Sequence, residues 1–167
     1  MATTLKMPDV LGLDAGPPVL APMGRIGGRV RAAMGSGEAA VADLAANDII
    51  VLARIPTNAR LMSILLGADN LGAALTVDVG VYDPDGTVQD VDEFASAFTL
   101  DAAVFGAATN LLYEAAIAQI DGHGERIWER LGLASDPGGD FDIALTVVTS
   151  TTPVAGSIAW QIMYTLD

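Results

Sequence analysis

Phe141-Asp142-Ile143-Ala144-Leu145-Thr146-Val147-Val148 and, after nine intervening residues, Ile158-Ala159-Trp160-Gln161-Ile162-Met163-Tyr164-Thr165 are the stretches that decide the fold. In the first, Phe141, Ile143, Leu145 and Val147 alternate with Asp142, Ala144, Thr146 and Val148. In the second, Ile158, Trp160, Ile162 and Tyr164 alternate with Ala159, Gln161, Met163 and Thr165. A period of two sends one set to each face of an extended chain, so both stretches are strands with one face on a core. Ser150-Thr151-Thr152-Pro153 between them is a turn-rich connection.

The same pattern recurs upstream. Leu75, Val77, Val79 and Val81 alternate with Ala74, Thr76, Asp78 and Gly80, and Asp83-Pro84-Asp85-Gly86 closes that strand as a turn. Asp48 to Ile55 is a short Ile/Val-rich run bounded by Asn47-Asp48 and Pro56, and Ala59 to Leu66 follows the turn cluster Pro56-Thr57-Asn58. From Gly28, Val30, Ala32 and Met34 alternate with Arg29, Arg31 and Ala33. Gly35-Ser36-Gly37 reads as a turn, with Glu38 to Leu44 returning as the partner strand. Glu125 to Leu131 reads as a short helix capped by Gly132. Residues 105 to 120 fit a helical stripe and a strand alternation equally well, and periodicity does not choose between them.

Seven to nine strands with short connections and one or two short helices predict an all-β chain, a jelly-roll-like two-sheet β-sandwich. Its body spans residues 28–167. Residues 1–27, with Pro8, Pro17, Pro18 and Pro22 among scattered glycines, lack periodicity and read as an extended N-terminal arm.

Composition narrows the function. The 167 residues are of single-domain size, enough to bury roughly 70% of the unfolded surface around one core. With 51% hydrophobic but only 5% aromatic residues, that core must be built from Ala, Val, Leu and Ile. No stretch reaches the ~18 apolar residues of a spanning helix, so no membrane partner is expected, and no secretory signal is legible at the N-terminus. Assembly in the cytoplasm is the expectation. The absence of cysteine removes disulfides, thiol catalysis and cysteine metal sites. A formal charge of -13 repels phosphates, so no nucleic acid partner is expected. Lys6 is the one lysine, and such an acidic surface would suit a saline environment.

The search for chemistry finds no constellation. His123, the one histidine, sits between Gly122 and Gly124 with no nucleophile nearby and reads as a solvated loop side chain. Asp83 and Asp85, with Asp90, Asp92 and Glu93 beyond, gather carboxylates. The glycine comes too early for an EF-hand and Phe94 stands where that loop needs its glutamate, so a solvated acidic turn is the simpler reading. If a cation binds anywhere, it binds at Asp83 and Asp85. Asp136-Pro137-Gly138-Gly139-Asp140 is read as a strand entry. Gly24-Arg25-Ile26-Gly27-Gly28 lacks the strand and helix a phosphate loop needs. Trp128 and Trp160 lie on apolar stripes, which favours core packing over sugar stacking. Arg25, Arg29 and Arg31 form the one basic cluster, at the junction of arm and body, and are the candidate contacts with a partner. No enzyme, metal or cofactor is expected.

Ile49-Ile50-Val51-Leu52-Ala53-Arg54-Ile55-Pro56-Thr57-Asn58-Ala59-Arg60, Val79-Gly80-Val81-Tyr82, Asp92-Glu93-Phe94-Ala95-Ser96-Ala97, Ile127-Trp128-Glu129-Arg130-Leu131-Gly132-Leu133, Asp136-Pro137-Gly138 and Phe141-Asp142-Ile143 stand in an order that resembles small structural proteins of tailed bacteriophages or gene transfer agents. The resemblance covers residues 48 to 165. It implies a decoration, cement or head-stabilising protein of the virion, often trimeric, bound to the major capsid protein. High negative charge suits the capsid exterior better than its DNA-facing lumen. The alternative expectation is a carbohydrate- or receptor-binding β-sandwich of a virion fibre or a lectin. A hydrolase would need a cleft with paired carboxylates or a nucleophile beside His123.

Overall fold

The computed structural model describes residues 17, 28–100, 110–113, 122 and 124–166. Its strands are β1 (Val30–Ala39), β2 (Ile49–Pro56), β3 (Arg60–Ala68), β4 (Gly72–Ala73), β5 (Thr76–Tyr82), β6 (Val88–Thr99), β7 (Asp140–Thr149), β8 (Thr152–Pro153) and β9 (Gly156–Thr165). Single 3-10 turns lie at Val41–Asp43 and Leu111–Tyr113, and one turn of helix, α1, spans Ile127–Arg130.

The strands form an antiparallel two-sheet sandwich, ordered β1-β9-β3 in one sheet and β2-β7-β5-β6 in the other, with β4 and β8 as a small separate pair. The two stretches that announced the fold are interior strands: β9 has a neighbour on each side, as does β7. An interior strand must satisfy the core along its whole length, which is why its alternation is cleanest. Phe141, Ile143, Leu145 and Val147 of β7 meet Ile158 and Ile162 of β9 in one core with Val77, Val79, Val81 and Phe94. The chain crosses from one sheet to the other through β8, so the Ser150 to Pro153 connection carries a short strand as well as a turn.

Two local expectations are corrected. Gly35-Ser36-Gly37 is no turn; β1 runs straight through it and pairs residue by residue with β9, from Val30 opposite Thr165 to Ala39 opposite Gly156. The glycine at 35 serves packing instead, because the indole of Trp160, its cross-strand partner, lies where a side chain would project. Glu38 to Leu44 consequently holds the end of β1 and a 3-10 turn, closed by the Asp43 carboxylate on the Ala40 N–H (3.0 Å), rather than a returning strand. The 12-residue β6 is an element the periodicity did not reveal. As the edge of its sheet it buries fully only Phe94 and Ala95, and its register against β5 shifts three times.

The turn Asp83 to Gly86 forms as expected, with the Asp83 N–H donating to Thr87 O (2.7 Å), the Gly86 N–H to Asp83 O (2.9 Å), and Gly86 at φ 89°. The expected helix is α1, followed by Gly132 at φ 68°. Its Ile127 N–H reaches Ala59 O (2.9 Å) and its Trp128 N–H reaches Thr57 O (3.3 Å), pinning α1 to the turn between β2 and β3. Of residues 105 to 120, those described are 110–113. Leu111 and Leu112 are buried, and the Asn110 side-chain oxygen accepts from Ile64 N–H (3.0 Å) on the edge of β3. The rest of that stretch, and most of the arm at 1–27, lies outside the described residues.

Candidate assembly surface

β1 is an edge strand, and of its ten residues only Ala39 is buried. The inner face, Ala33, Gly35, Gly37 and Ala39, carries no large side chain, and the indole of Trp160 from β9 lies over Gly35. The outer face presents Val30 and Met34, which are 51% and 67% exposed. The sequence alternation of β1 thus assigned the apolar set to the wrong side, since the face that meets the core is the one made of small residues. Across the same outer face Met163 lies opposite Ala32, and a bulge in β3 sets both Met62 and Ser63 against Met163. Met62 is 43% exposed. Unbranched, polarisable methionines on an open sheet suit a contact that must adapt to its partner.

Beyond the far end of β1 the two sheets part. Gly37, Glu38 and Ala39, the 3-10 turn, Asp48 to Val51 of β2, Ile158 and Trp160 enclose a groove of about 410 Å³. Its floor is apolar and its rim carries Glu38, Asp43 and Asp48. These carboxylates make only local hydrogen bonds: Glu38 accepts from Ser157 Oγ (2.9 Å), Asp43 from Ala40 N–H, and Asp48 from Ala45 N–H (2.7 Å). Among the described residues no basic side chain lines the groove.

The basic residues divide sharply. Arg54 grips Asp142 with Nε at 2.7 Å and Nη2 at 2.9 Å, a two-pronged bond across β2 and β7 that keeps its guanidinium charged. Arg60 is buried, donating to Gly124 O and lying 3.6 Å from Glu129, which also binds Arg126 at 3.1 Å. Arg130 is buried against Glu93 (2.8 Å) with its guanidinium 5.5 Å from the Phe94 ring centre. Arg29 and Arg31, by contrast, are exposed and have no ion-pair partner among the described residues. Arg25 lies outside those residues.

The acidic turn is used internally. Asp85 accepts from Thr87 N–H (2.9 Å), which lowers its pKa, and Asp83 accepts from Gln89 Nε2 (2.6 Å). Glu93 titrates above its usual value because it is buried, with the nearby Asp90 and Asp92 adding to the shift and Arg130 opposing it. Asp136 bonds the Thr57 hydroxyl (2.5 Å) and the Gly138 N–H (2.9 Å); both hold its pKa down and fasten the entry of β7 to the end of β2. Among the described residues no three His, Cys, Asp or Glu side chains gather as metal ligands, and no helix is long and apolar enough to cross a membrane. His123 is outside the described residues.

A similar fold occurs in two phage capsids. One matching chain belongs to the Cyanophage Pam1 capsid asymmetric unit: TM-score 0.51, 20% identity, covering 89% of this chain and 93% of that one. The other belongs to the capsid of Ralstonia phage GP4: TM-score 0.51, 22% identity, covering 84% and 86%. At these identities the likeness is one of fold. No protein-family model and no curated protein matches the sequence.

Sequence reasoning pointed to the arginines at the junction but missed the groove and the methionine face. The groove joins residues more than a hundred positions apart, Asp43 and Trp160, which no local pattern connects. The open face did have a signal. A strand with Ala, Gly and Ala on one side and isolated Val and Met on the other has too little bulk to fill a core from either face.

Proposed function

We propose that this chain is a virion structural protein of a bacteriophage or gene transfer agent, a decoration or head-stabilising protein on the outer surface of the major capsid lattice. The observation that carries this reading is β1, an edge strand whose outer border is unpaired among the described residues and whose outer face exposes Val30 and Met34. Solitary proteins blunt such edges with charge, proline or a covering element; a subunit leaves them for its neighbours. The fold shared with chains of two phage capsids supports the same reading.

In this reading the protein works by adhesion and carries no catalytic residue. Its N-terminal arm reaches the lattice, and the basic junction Arg25, Arg29 and Arg31 meets an acidic neighbour. Assembly is as a homo-oligomer, with a trimer favoured. The negative body faces outward, where it neither binds nor repels packaged DNA at close range. A sugar-binding module would need an exposed aromatic platform, and Trp128 and Trp160 both pack against the core, which counts against that alternative.

The test is binding of the purified protein to heads built from the major capsid protein of the same source. Deleting residues 1–27 is expected to abolish co-sedimentation with heads while the urea transition of the body is retained. Undiminished binding by the truncated protein would sink the role of the arm, and failure of the full-length chain to bind heads would sink the reading itself.

A further inference from the structure

Two sets of exposed or half-buried charges lie near opposite ends of β1. Arg29, just before β1, and Arg31, near its start, are exposed and have no ion-pair partner among the described residues. The groove rimmed by Glu38, Asp43 and Asp48 opens at its end. The six steps from Arg31 to Gly37 at ~3.4 Å each separate them by about 20 Å. β1 is paired with β9 over its whole length, so it cannot fold back and bring its own arginines to its own groove.

We propose that the groove between β1 and β2 receives the basic start of β1 from a second copy of this chain, Arg29 and Arg31 meeting Asp43 and Asp48 of the neighbour while the segment's apolar atoms cover Ile49, Val51 and Trp160. Three facts select this occupant. The groove is lined by apolar side chains together with Glu38, Asp43 and Asp48, and among the described residues no basic side chain lines it. The arginines of the body, Arg54, Arg60, Arg126 and Arg130, are committed to internal ion pairs. Ile49 and Val51, at the mouth, are 47% and 51% exposed, so a covering segment removes them from water. Because donor and acceptor surfaces differ, the contact is head-to-tail, and repeated around an axis it closes a ring. The contact stands apart from attachment to capsids: it concerns copies of this chain alone.

The test is sedimentation velocity of the full chain over a concentration series at low and high salt. Self-association that weakens as salt rises is expected. R29E/R31E and D43R/D48R, at positions exposed except for the half-buried Asp48, should each weaken association about tenfold or more. An equimolar mixture of the two variants should associate again, since the reversed junction of one fits the reversed groove of the other. The natural absence of cysteine allows a second readout. A chain carrying R29C and D43C should form disulfides between copies under mild oxidation, while either single variant should not form the same linear or cyclic series. A monomer throughout the concentration range, or an oligomer indifferent to both reversals and uncrosslinked by the cysteine pair, would overturn the proposal. Failure of the full chain to bind heads, with self-association intact, would instead count against the capsid reading.

Discussion

Gly35 of β1 lies beneath the indole of Trp160 in β9: a Cβ at position 35 would stand 2.6 Å from Cζ2 of the ring. Gly37, two residues on and on the same side of the strand, has open space there, with nothing within 4 Å. The two glycines look alike in sequence and do different work. Gly35→Ala is expected to push the indole off its seat and cost about 1–3 kcal/mol, with a change in tryptophan fluorescence. Gly37→Ala should be neutral or stabilise by about 0.4–1 kcal/mol, through the entropy of the unfolded chain. Urea unfolding of both variants followed by fluorescence checks the contrast, and equal effects would contradict it.

Gly80 in β5 makes a more severe demand. A Cβ there would fall 2.1 Å from the carbonyl oxygen of Asp90 and 2.3 Å from that of Val91, both backbone atoms of β6. Rings can turn aside, but a strand held in a sheet cannot. Gly80→Ala is expected to cost about 3 kcal/mol or more, or to prevent soluble expression. Hydrogen exchange should locate the damage in β6, whose register already shifts beside this position. A fully stable variant would mean that β6 does not pack as described.

The Glu93–Arg130 pair is the most buried ion pair described, with side chains 11% and 4% exposed. Removing one partner strands the other charge away from water. Arg130→Met is therefore expected to cost about 3–5 kcal/mol. Glu93→Leu combined with Arg130→Met should recover much of that loss, because both desolvation costs vanish together and methionine can still lie on Phe94. A double-mutant cycle in urea measures the coupling. Additive losses would show that the two residues act separately.

Acid should first help this protein and then harm it. Burial raises the pKa of Glu93 and of Asp90, so the folded state takes up these protons before the unfolded state does. Stability from such groups is present at low pH and lost as pH rises through the folded value, so it grows as pH falls from 7 toward about 4.5. Asp85 and Asp136 have lowered pKa values, and their contribution is lost as pH falls below about 3.8 toward their folded values. Thermal melts from pH 7 to 3 should therefore pass through a maximum. Glu93→Gln should flatten the rise on its alkaline side, and an unchanged rise would assign it to relief of the overall negative charge instead.

How much of this was legible follows from where each residue's partners sit. β7 and β9 could be read at once because their large apolar side chains fall at every second residue and pack on or against one core. The Asp83 to Gly86 turn and α1 were equally plain, since their determinants are local: a proline, a glycine able to take positive φ, a short apolar face. β6 was hidden because Gln89, Asp90, Asp92 and Glu93 place polar atoms on both sides of an edge strand. Gly35 was misread because its reason lies 125 positions away, in Trp160, and no local rule distinguishes a glycine that bends a chain from one that admits a ring. The junction arginines were visible as a cluster. That Arg29 and Arg31 lack ion-pair partners among the described residues while Arg54, Arg60, Arg126 and Arg130 are spoken for required the ion pairs themselves.

The methionine face yields the prediction that most directly separates assembly from folding. Met34 is 67% exposed and Met62 is 43% exposed, so neither contributes much to the isolated body. Met34→Glu and Met62→Glu should each leave unfolding within about 0.5 kcal/mol of the parent, as surface changes do. If the outer face of β1-β9-β3 rests on a capsid subunit, each introduced carboxylate must be desolvated without a partner on docking, and binding to heads should fall by about tenfold or more. Val148→Glu, on β7 in the other sheet and also exposed, is the control that should bind normally. The comparison turns on which sheet is covered. Loss at Met34 and Met62 with retention at Val148 assigns the lattice contact to the three-stranded sheet, and the reverse pattern moves it to the four-stranded one.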